Sequence, residues 1–341
     1  MKTVLVTGAS SFLGYHVAKR LNERGIRPRV LELPGSKPDA LERLEVERAR
    51  GHLGDAAAMR DACAGVDTVL HLAFKVSVGG GAELLQEMRR INIDGTRQLL
   101  QAAAANDVQR AVVAGSALAV GVNREPVPLD ESASWTRHAF DIPYARIRRE
   151  AEADALAQST ARFAVVSVCP SFTFGPDDPT GAPANKLLDN IARGKQRFTL
   201  RVGFGCLDVR DFAEGVLLAA ERGRPKDRYL LSGENVTADQ LLARAGAIAG
   251  VRPPRLAPPA FVVRGAVGAL ELYCRLRGKP APLTRDVMQV LGRYAWYDSS
   301  KARTELGWRP RPLDETLADT IASLRNAGAK TTPAVGATLA P

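Results

Sequence analysis

The chain has 341 residues, of which 45% are hydrophobic and 25% charged, so it can bury a sizeable core and wholesale disorder is excluded. Its 47 Lys and Arg against 37 Asp and Glu give a net charge of +10 without a long basic run. We interpret this as a basic protein surface, and nucleic acid is not an expected partner. No apolar run is long enough to span a membrane, and the N-terminal one is too short for a signal peptide.

The four cysteines do not have the spacing of a metal site or of a disulfide framework. Cys63, Cys169, Cys206 and Cys274 form no C-x-x-C pair, and no His lies at ligand spacing. We therefore expect free thiols, no metal and a reducing, cytoplasmic compartment.

The first half of the chain alternates short β-branched runs with amphipathic stretches. Strands are predicted at 4–6, 29–33, 67–73, 110–114 and 164–168, and helices at 12–24, 56–64, 84–106 and 144–159. This alternation is typical of an α/β fold with a doubly wound, Rossmann-type parallel sheet.

The second half is less regular. A loop is predicted at 175–181, and a strand at 206–209 with a helix at 211–222 is expected to rejoin the sheet. Residues 1–170 and 207–231 are thus assigned to the nucleotide-binding domain. Residues 171–206 and 232–327 are assigned to a smaller, mostly helical substrate-binding part, and 328–341 to a disordered tail.

A glycine-rich turn, T-G-A-S-S-F-L-G at residues 7–14, lies between the first strand and the first helix. Gly8 permits a sharp exit from the strand, and Gly14 lets the helix pack closely on the sheet. Because a helix N-terminus favours a pyrophosphate, this turn is expected to bind a dinucleotide. Glu32, which ends the second strand, would bind the ribose hydroxyls and repel a 2′-phosphate, which favours NAD over NADP.

Further segments follow in a characteristic order. They are H-L-A at 71–73, N-I-D-G-T at 92–96, G-S-A at 115–117, Y-A-R-I-R at 144–148, C-P-S-F-T-F-G-P at 169–176, L-D-V-R-D-F-A at 207–213 and Y-D-S-S-K-A at 297–302. With the glycine turn, this set resembles the extended short-chain dehydrogenase/reductase superfamily, the NAD-dependent epimerase/dehydratase family. The downstream half is most similar to its 3β-hydroxysteroid dehydrogenase, dihydroflavonol reductase and hopanoid-associated group.

The resemblance implies a set of site residues. Cofactor-binding residues are Thr7, Gly8, Ser10, Ser11, Phe12, Leu13, Gly14, Glu32, His52, Leu53, Leu72, Ala73, Asn92, Pro170, Phe172 and Thr173. Catalytic residues are Ser116, Tyr144 and Arg148, and candidate substrate contacts are Lys75, Phe174 and Arg210. The sequence departs from the family pattern in three places: Ser11 replaces the middle glycine, His52 an adenine-side aspartate, and Arg148 a lysine.

The spacing of Tyr144 and Arg148 suits acid–base chemistry. Residues four apart share one helix face, and a nearby cation favours a phenolate. The resemblance implies that Tyr144 exchanges the proton of a secondary alcohol while Ser116 orients its oxygen. The guanidinium of an arginine is longer and planar, whereas the ammonium of the family lysine is compact. Arg148 thus leaves three outcomes open: adequate substitution, a slow enzyme, or cofactor binding without redox chemistry.

The apolar stretch 261–277 bears on the substrate. It is too short and too charged to span a bilayer, and it is compatible with a membrane-surface helix, a cap over an apolar pocket or a packed core helix. The first two favour an apolar, steroid- or isoprenoid-like substrate. A nucleotide-sugar epimerase or dehydratase stays open, since Arg201 and Arg210 could bind a diphosphate. A non-enzymatic dinucleotide-binding or nucleic-acid-associated protein is the third alternative.

The resemblance also implies a homodimer built on the helices at 84–106 and 144–159.

Overall fold

Two sheets organise the protein in the computed structural model, which describes residues 1–35, 39–76, 82–133, 135, 142–254, 256–277 and 287–331. The strands are β1 (Val4–Thr7), β2 (Arg29–Glu32), β3 (Glu47–Arg50), β4 (Thr68–His71), β5 (Arg110–Ala114), β6 (Ala164–Pro170), β7 (Phe172–Phe174), β8 (Gly203–Asp208), β9 (Arg228–Leu231), β10 (Asn235–Thr237) and β11 (Tyr294–Ala295).

The main sheet has seven strands in the order β3-β2-β1-β4-β5-β6-β9, and all its pairings are parallel. The strand order reverses between β1 and β4. The carboxyl ends of these two strands therefore border the crevice in which doubly wound sheets bind ligands. This confirms the predicted Rossmann-type fold.

Helices cover both faces of the main sheet. The helices are α1 (Phe12–Glu23), α2 (Ala56–Cys63), α3 (Ala82–Arg89), α4 (Thr96–Ala105), α5 (Pro143–Ala157), α6 (Pro183–Ala192), α7 (Val209–Arg222), α8 (Ala238–Ala249), α9 (Ala260–Leu276) and α10 (Leu313–Thr331). Val4 and Val6 of β1 pack with α1 and α7, whereas Leu5 packs with α2 and α4 on the opposite face. The alternation of side chains along a strand thus produces two cores.

The helix predicted at 84–106 contains a π turn. Residues Arg90–Gly95 form this turn between α3 and α4. A Cβ on Gly95 would lie 2.8 Å from the Cβ of Leu53. The absence of a side chain at Gly95 thus lets the loop after β3 approach the turn closely.

The second sheet corrects one assignment. β8, predicted to rejoin the main sheet, instead pairs with β7, β10 and β11. Only α7 and β9, which follow it, return to the main sheet. The predicted tail overlaps the end of α10, which continues to Thr331, and the rest of it, 332–341, lies outside the described residues.

The four cysteines are free, as expected. Within the described ranges no helix is long and apolar enough to cross a membrane, and no group of acidic, His or Cys side chains has the arrangement of a metal site.

Candidate active site

The backbone of the glycine turn lies against the chain at the end of β4. This is the switch point of the main sheet, where the strand order reverses. Gly8 has φ +75°, and a Cβ there would lie 2.7 Å from the backbone of Leu72 and Ala73 at the end of β4. A Cβ on Gly14 would collide with the carbonyl of Gly8. Both positions therefore require glycine.

Ser11 replaces the family glycine without strain. It has φ −78° and caps α1: its hydroxyl donates to the Gly8 carbonyl (2.7 Å) and accepts from the Gly14 N–H (3.1 Å). The N–H groups of Phe12 and Leu13 belong to the first turn, which has no intrahelical acceptors. The turn thus keeps donors suited to a phosphate.

Glu32 ends β2 beside this turn, and its carboxylate is largely buried. Arg48 on the neighbouring strand β3 donates to Glu32 Oε1 at 2.8 Å. The sequence did not single out Arg48, because its proximity depends on the pairing of β2 with β3. His52 is exposed just beyond β3, and its Nδ1 accepts from the Gly54 N–H (3.1 Å), whereas Leu53 is buried.

His71 is fully buried between two threonines at the end of β4. Its Nδ1 lies 2.6 Å from the Thr7 hydroxyl and its Nε2 lies 2.9 Å from the Thr96 hydroxyl, which itself donates to the Asn92 carbonyl. This network assigns the proton to Nε2 and makes Nδ1 the acceptor. Burial and the charge of Arg148 lower the pKa of His71 to about 3. Thr7, predicted to bind the cofactor, has its hydroxyl occupied by a structural hydrogen bond.

Asn92 also serves the fold. Its side chain is fully buried, accepts from the Lys75 N–H (2.8 Å) and donates to the Lys75 carbonyl (2.9 Å). The Lys75 ammonium forms an ion pair with Glu87 at 2.5 Å. Asn92 therefore holds the loop that follows Leu72 and Ala73, rather than contacting a cofactor through its own amide.

Ser116 and Tyr144 lie on elements that pack together at the end of β5. Ser116 precedes a 3-10 turn, Ala117–Ala119, against which the N-terminal part of α5 packs. Tyr144, in the first turn of α5, packs against the apolar group that includes Leu118. Among the described residues, neither hydroxyl has a hydrogen-bond partner, so both remain available for a substrate oxygen.

Arg148 lies one turn after Tyr144 and points into the protein. Its Nη2 donates to the carbonyls of Ala114 (2.6 Å) and Gly115 (2.5 Å), and its guanidinium carbon lies 3.6 Å from the centre of the Phe74 ring. Nε and Nη1 are buried and have no partner in the described part of the chain. Burial lowers the pKa of Arg148, and the charge of an ionised Tyr144 would raise it.

A buried polar cluster that the sequence did not reveal lies behind Arg148. Glu152 Oε1 accepts from the Ser167 hydroxyl (2.5 Å) and the Cys169 thiol (3.0 Å), and Arg228 lies 2.9 Å from Oε2. Burial and the Glu152 charge raise the pKa of Cys169, which keeps the thiol protonated. The sequence does carry one signal for this cluster: Glu152 lies four residues after Arg148, so the two side chains share one face of the helix.

The segment after β6 is divided between the site and the core. Pro170 and Thr173 are half-buried, and Phe172 stacks on Phe204 at 4.9 Å. Phe174, predicted to contact substrate, is fully buried in the core of the second sheet. It therefore has no surface to offer a substrate.

Arg210 in α7, also predicted to contact substrate, forms hydrogen bonds with carboxylates of the protein itself. It donates to both oxygens of Asp208 (2.9 and 2.7 Å) and to Asp319 (2.7 Å). Because Asp208 is itself buried, this arrangement is structural, and Arg210 is not disposed to bind a substrate diphosphate.

Comparison with known protein families identifies the family of this chain. The profile of the NAD dependent epimerase/dehydratase family matches residues 4–232. The chain belongs to this family. The resemblance drawn from the motifs is confirmed, the protein is an enzyme of the extended short-chain type, and its cofactor is NAD.

Relatives of this family member include sterol- and steroid-named enzymes. Sterol demethylase protein B of Methylococcus capsulatus is 32% identical over 331 residues, covering 96% of this chain and 99% of that protein. A 3 beta-hydroxysteroid dehydrogenase/Delta 5-->4-isomerase of Mycobacterium tuberculosis is 28% identical, covering 90% of this chain and 86% of its own length. The crystal structure of gox2253 has 30% identity and a TM-score of 0.83, covering 96% and 99% of the two chains.

The residues at the switch point fit a dinucleotide. Gly8 and Gly14 leave no room for a Cβ, so the turn presents bare backbone, and the first-turn N–H groups of α1 face the same turn. A carboxylate, Glu32, ends the adjacent strand. Together these supply donors for phosphates and an acceptor for ribose hydroxyls.

Proposed function

We propose that the protein is an NAD-dependent oxidoreductase that interconverts a secondary alcohol and a ketone on a largely apolar, steroid- or isoprenoid-like substrate. The observation that carries this proposal is the surroundings of Tyr144. It packs against a buried apolar cluster, Val122, Ile142 and Ala145, and four further apolar side chains pack against the same cluster: Leu118, Trp135, Val290 and Ala295. A substrate whose oxygen reaches the Tyr144 hydroxyl would therefore meet mostly apolar side chains, which suits a hydrocarbon skeleton.

The cofactor would be held by the switch-point residues. The turn from Gly8 to Gly14 would bind the pyrophosphate, Glu32 the ribose hydroxyls, and Leu72 with Ala73 would line the adenosine side. Bound NAD supplies uptake or return of a hydride at the carbinol carbon. We assign no direct cofactor contact to the side chains of Thr7 and Asn92, because both are occupied by structural hydrogen bonds.

The proton moves through Tyr144. In the oxidation, the Tyr144 phenolate accepts the proton of the substrate hydroxyl, while Ser116 donates a hydrogen bond to the same oxygen. In the reduction, the Tyr144 hydroxyl returns the proton to the carbonyl oxygen. The buried charge of Arg148, one helical turn away, would attract the negative charge that the Tyr144 oxygen carries during this transfer.

Arg148 also acts as a positioning residue. By donating to the carbonyls of Ala114 and Gly115, it fixes the end of β5 from which Ser116 projects. Of the three outcomes left open for this substitution, we favour adequate replacement of the family lysine. The charge is retained, and the rigid contact with β5 compensates for the lost compactness of an ammonium.

A nucleotide-sugar epimerase or dehydratase is the second candidate, and Arg201 favours it. Arg201 is exposed beside β8 and forms no ion pair with the residues that the structure describes. The engagement of Arg210 by two aspartates removes the other candidate for a diphosphate clamp. The geometry therefore supports the apolar substrate better.

Steady-state production of NADH separates the two candidates. The purified protein is given NAD with a panel of hydroxysteroids and isoprenoid alcohols solubilised in detergent, and separately with UDP-glucose. We expect NADH from an apolar alcohol and none from the sugar nucleotide. Epimerisation of UDP-glucose with NAD retained on the protein would overturn the proposal.

A homodimer completes the proposal. The ion pairs Arg89–Glu150 and Arg97–Asp154 bind α3 and α4 to α5, so that these helices offer one continuous face. Light scattering on the purified protein should give about twice the chain mass of 36.5 kDa.

A further inference from the structure

Helix α9 lies on the surface with most of its apolar side chains outward. Phe261 is 75% exposed, Leu272 58% and Leu276 79%, and only Val267 and Gly268 of this helix are buried. The interpretation as a packed core helix is therefore wrong. Single exposed apolar residues need no explanation, but a contiguous group of this kind marks an interaction surface.

The exposed apolar residues share one face. Successive residues of an α-helix are about 100° apart, which places five large side chains within an arc of about 120°. They are Phe261, Val262, Leu272, Tyr273 and Leu276. Val263, Val267 and Cys274, which are buried or half-buried, project from the opposite side. There Val263 and Val267 join an apolar cluster that includes Val202, Phe204, Met288 and Leu291.

Arginines border this apolar arc. Arg264 and Arg275 lie along one edge and Arg277 along the other, and all three are exposed. Glu271 is the one acidic residue in the sequence of α9. Long basic side chains at the edges of an apolar face can reach headgroups while their stems stay in the apolar layer.

Two further arginines extend the positive charge below the helix. Asn123 and Tyr294 exchange backbone hydrogen bonds (2.8 and 2.9 Å), which places Arg124 opposite Arg293. Burial and the charges of Arg124 and Arg264 lower the pKa of Arg293, so these guanidinium groups lie within electrostatic reach of one another. Arg124 is exposed, so it adds to the positive charge of the arginines that border the apolar arc, whereas Arg293 is half-buried.

We propose that α9 is a membrane-docking helix, which lies in the interface of an anionic lipid bilayer with its Phe261–Leu272–Leu276 face in the acyl layer. An anionic surface complements the flanking arginines. A second copy of the chain is disfavoured as the occupant, because a two-fold contact through α9 would set the same arginines against one another.

The docking surface stands whether or not the proposed substrate is correct, but it connects with that proposal. Val290 packs both with the apolar group around Tyr144 and with the group that anchors Val267 of α9. A cavity of about 410 Å³ lies beside α9, lined by Arg264, Gly265, Met288 and Gln289. An apolar substrate dissolved in the bilayer would thus be adjacent to the wall of the site.

Co-sedimentation with vesicles tests this proposal. The full chain is mixed with vesicles of phosphatidylcholine alone and of phosphatidylcholine with about a third phosphatidylserine, at low and physiological salt. We expect binding to the anionic vesicles that weakens with salt. The double variant Phe261→Ser/Leu272→Ser should lower the binding by about tenfold or more. Arg275→Gln/Arg277→Gln should weaken the binding and reduce its salt dependence, and the exposed, distant pair Arg60→Gln/Arg303→Gln should bind like the wild type.

The named substitutions are exposed, so folding should be unaffected, and circular dichroism of each variant verifies this. Absence of binding to either vesicle would overturn the proposal, as would binding that the α9 variants leave unchanged. Self-association that Phe261→Ser/Leu272→Ser abolishes, without vesicle binding by the wild type, would assign the surface to a second copy instead. NADH production from a detergent-solubilised alcohol should persist in the α9 variants, which separates failure of docking from failure of the proposed function.

Discussion

Nη2 of Arg148 donates to the carbonyl oxygen of Gly115, the residue immediately before Ser116. The contact joins the proposed cationic neighbour of Tyr144 to the strand end that precedes Ser116. Gly115 has no room for a side chain, since a Cβ there would lie 2.5 Å from the Cys169 sulfur. Position 148 therefore affects both the charge near Tyr144 and the placement of Ser116.

Removal of the Arg148 charge should slow the reaction without unfolding the protein. For Arg148→Met we expect kcat to fall by about 10²-fold, because the phenolate of Tyr144 loses its cation and β5 loses two hydrogen bonds. The free energy of unfolding in urea should change by less than about 2 kcal/mol, because loss of these bonds is offset by removal of a poorly satisfied buried cation. Arg148→Lys, which keeps the charge, should stay within about tenfold of the wild type. A fully active Arg148→Met would contradict this role.

The two free hydroxyls should contribute to turnover and not to cofactor affinity. Tyr144→Phe is expected to lower kcat by about 10²- to 10⁴-fold, because it removes the group that transfers the proton. Ser116→Ala should lower kcat by a smaller factor, because it removes a single hydrogen bond to the substrate oxygen. NADH affinity, read from energy transfer out of the tryptophans, should change by less than about twofold. Tyr273→Phe, on the exposed face of α9, serves as the matched control and should turn over normally on a detergent-solubilised substrate.

The Glu32–Arg48 pair should set the choice of cofactor. The wild type is expected to bind NADH more tightly than NADPH, because the Glu32 carboxylate repels a 2′-phosphate and occupies Arg48. Glu32→Ser would release Arg48 for that phosphate and shift the preference toward NADPH by about tenfold or more. In Glu32→Ser/Arg48→Gln the NADPH gain should disappear. Equal titration curves for all three proteins would show that this pair does not determine the preference between NADH and NADPH.

Acidification should destabilise the protein through His71. The unfolded histidine takes up a proton near pH 6.5, whereas the folded one does so only near pH 3, so stability is lost as the pH falls through this window. The His71 contribution between pH 7 and pH 5 is a loss of about 2 kcal/mol. In urea unfolding, the free energy of unfolding of His71→Gln should therefore fall between pH 7 and pH 5 by about 2 kcal/mol less than that of the wild type. The exposed-histidine control His52→Gln should keep the wild-type slope.

The sequence predicted the front half of the fold well because β-branched runs and glycine turns are local signals. β1, β2, β5 and β6 lie within two residues of their predicted limits. β3 was missed because Glu47–Arg50 is a charged edge strand, and edge strands carry such residues to prevent further pairing. β8 was placed in the wrong sheet because strand partners are a long-range property.

For the candidate site, the motifs predict which elements carry the side chains but not which contacts those side chains make. Motif order located Ser116, Tyr144 and Arg148 on the elements that the structure brings together. It could not show that Arg148 is directed to the β5 carbonyls, that Asn92 bonds the Lys75 backbone, or that Phe174 is buried. Those outcomes depend on side-chain packing across distant segments, which the spacing of motifs does not encode.

Transfer of deuterium from cofactor to substrate tests the central claim most directly. The protein is incubated with NADH deuterated at C4 and an apolar cyclic ketone such as a 3-ketosteroid, and the product is analysed by mass spectrometry. The account predicts deuterium at the carbinol carbon of a released alcohol with the wild type. Tyr144→Phe should bind the cofactor and transfer little. Unlabelled product, no alcohol at all, or equal transfer by Tyr144→Phe would contradict it.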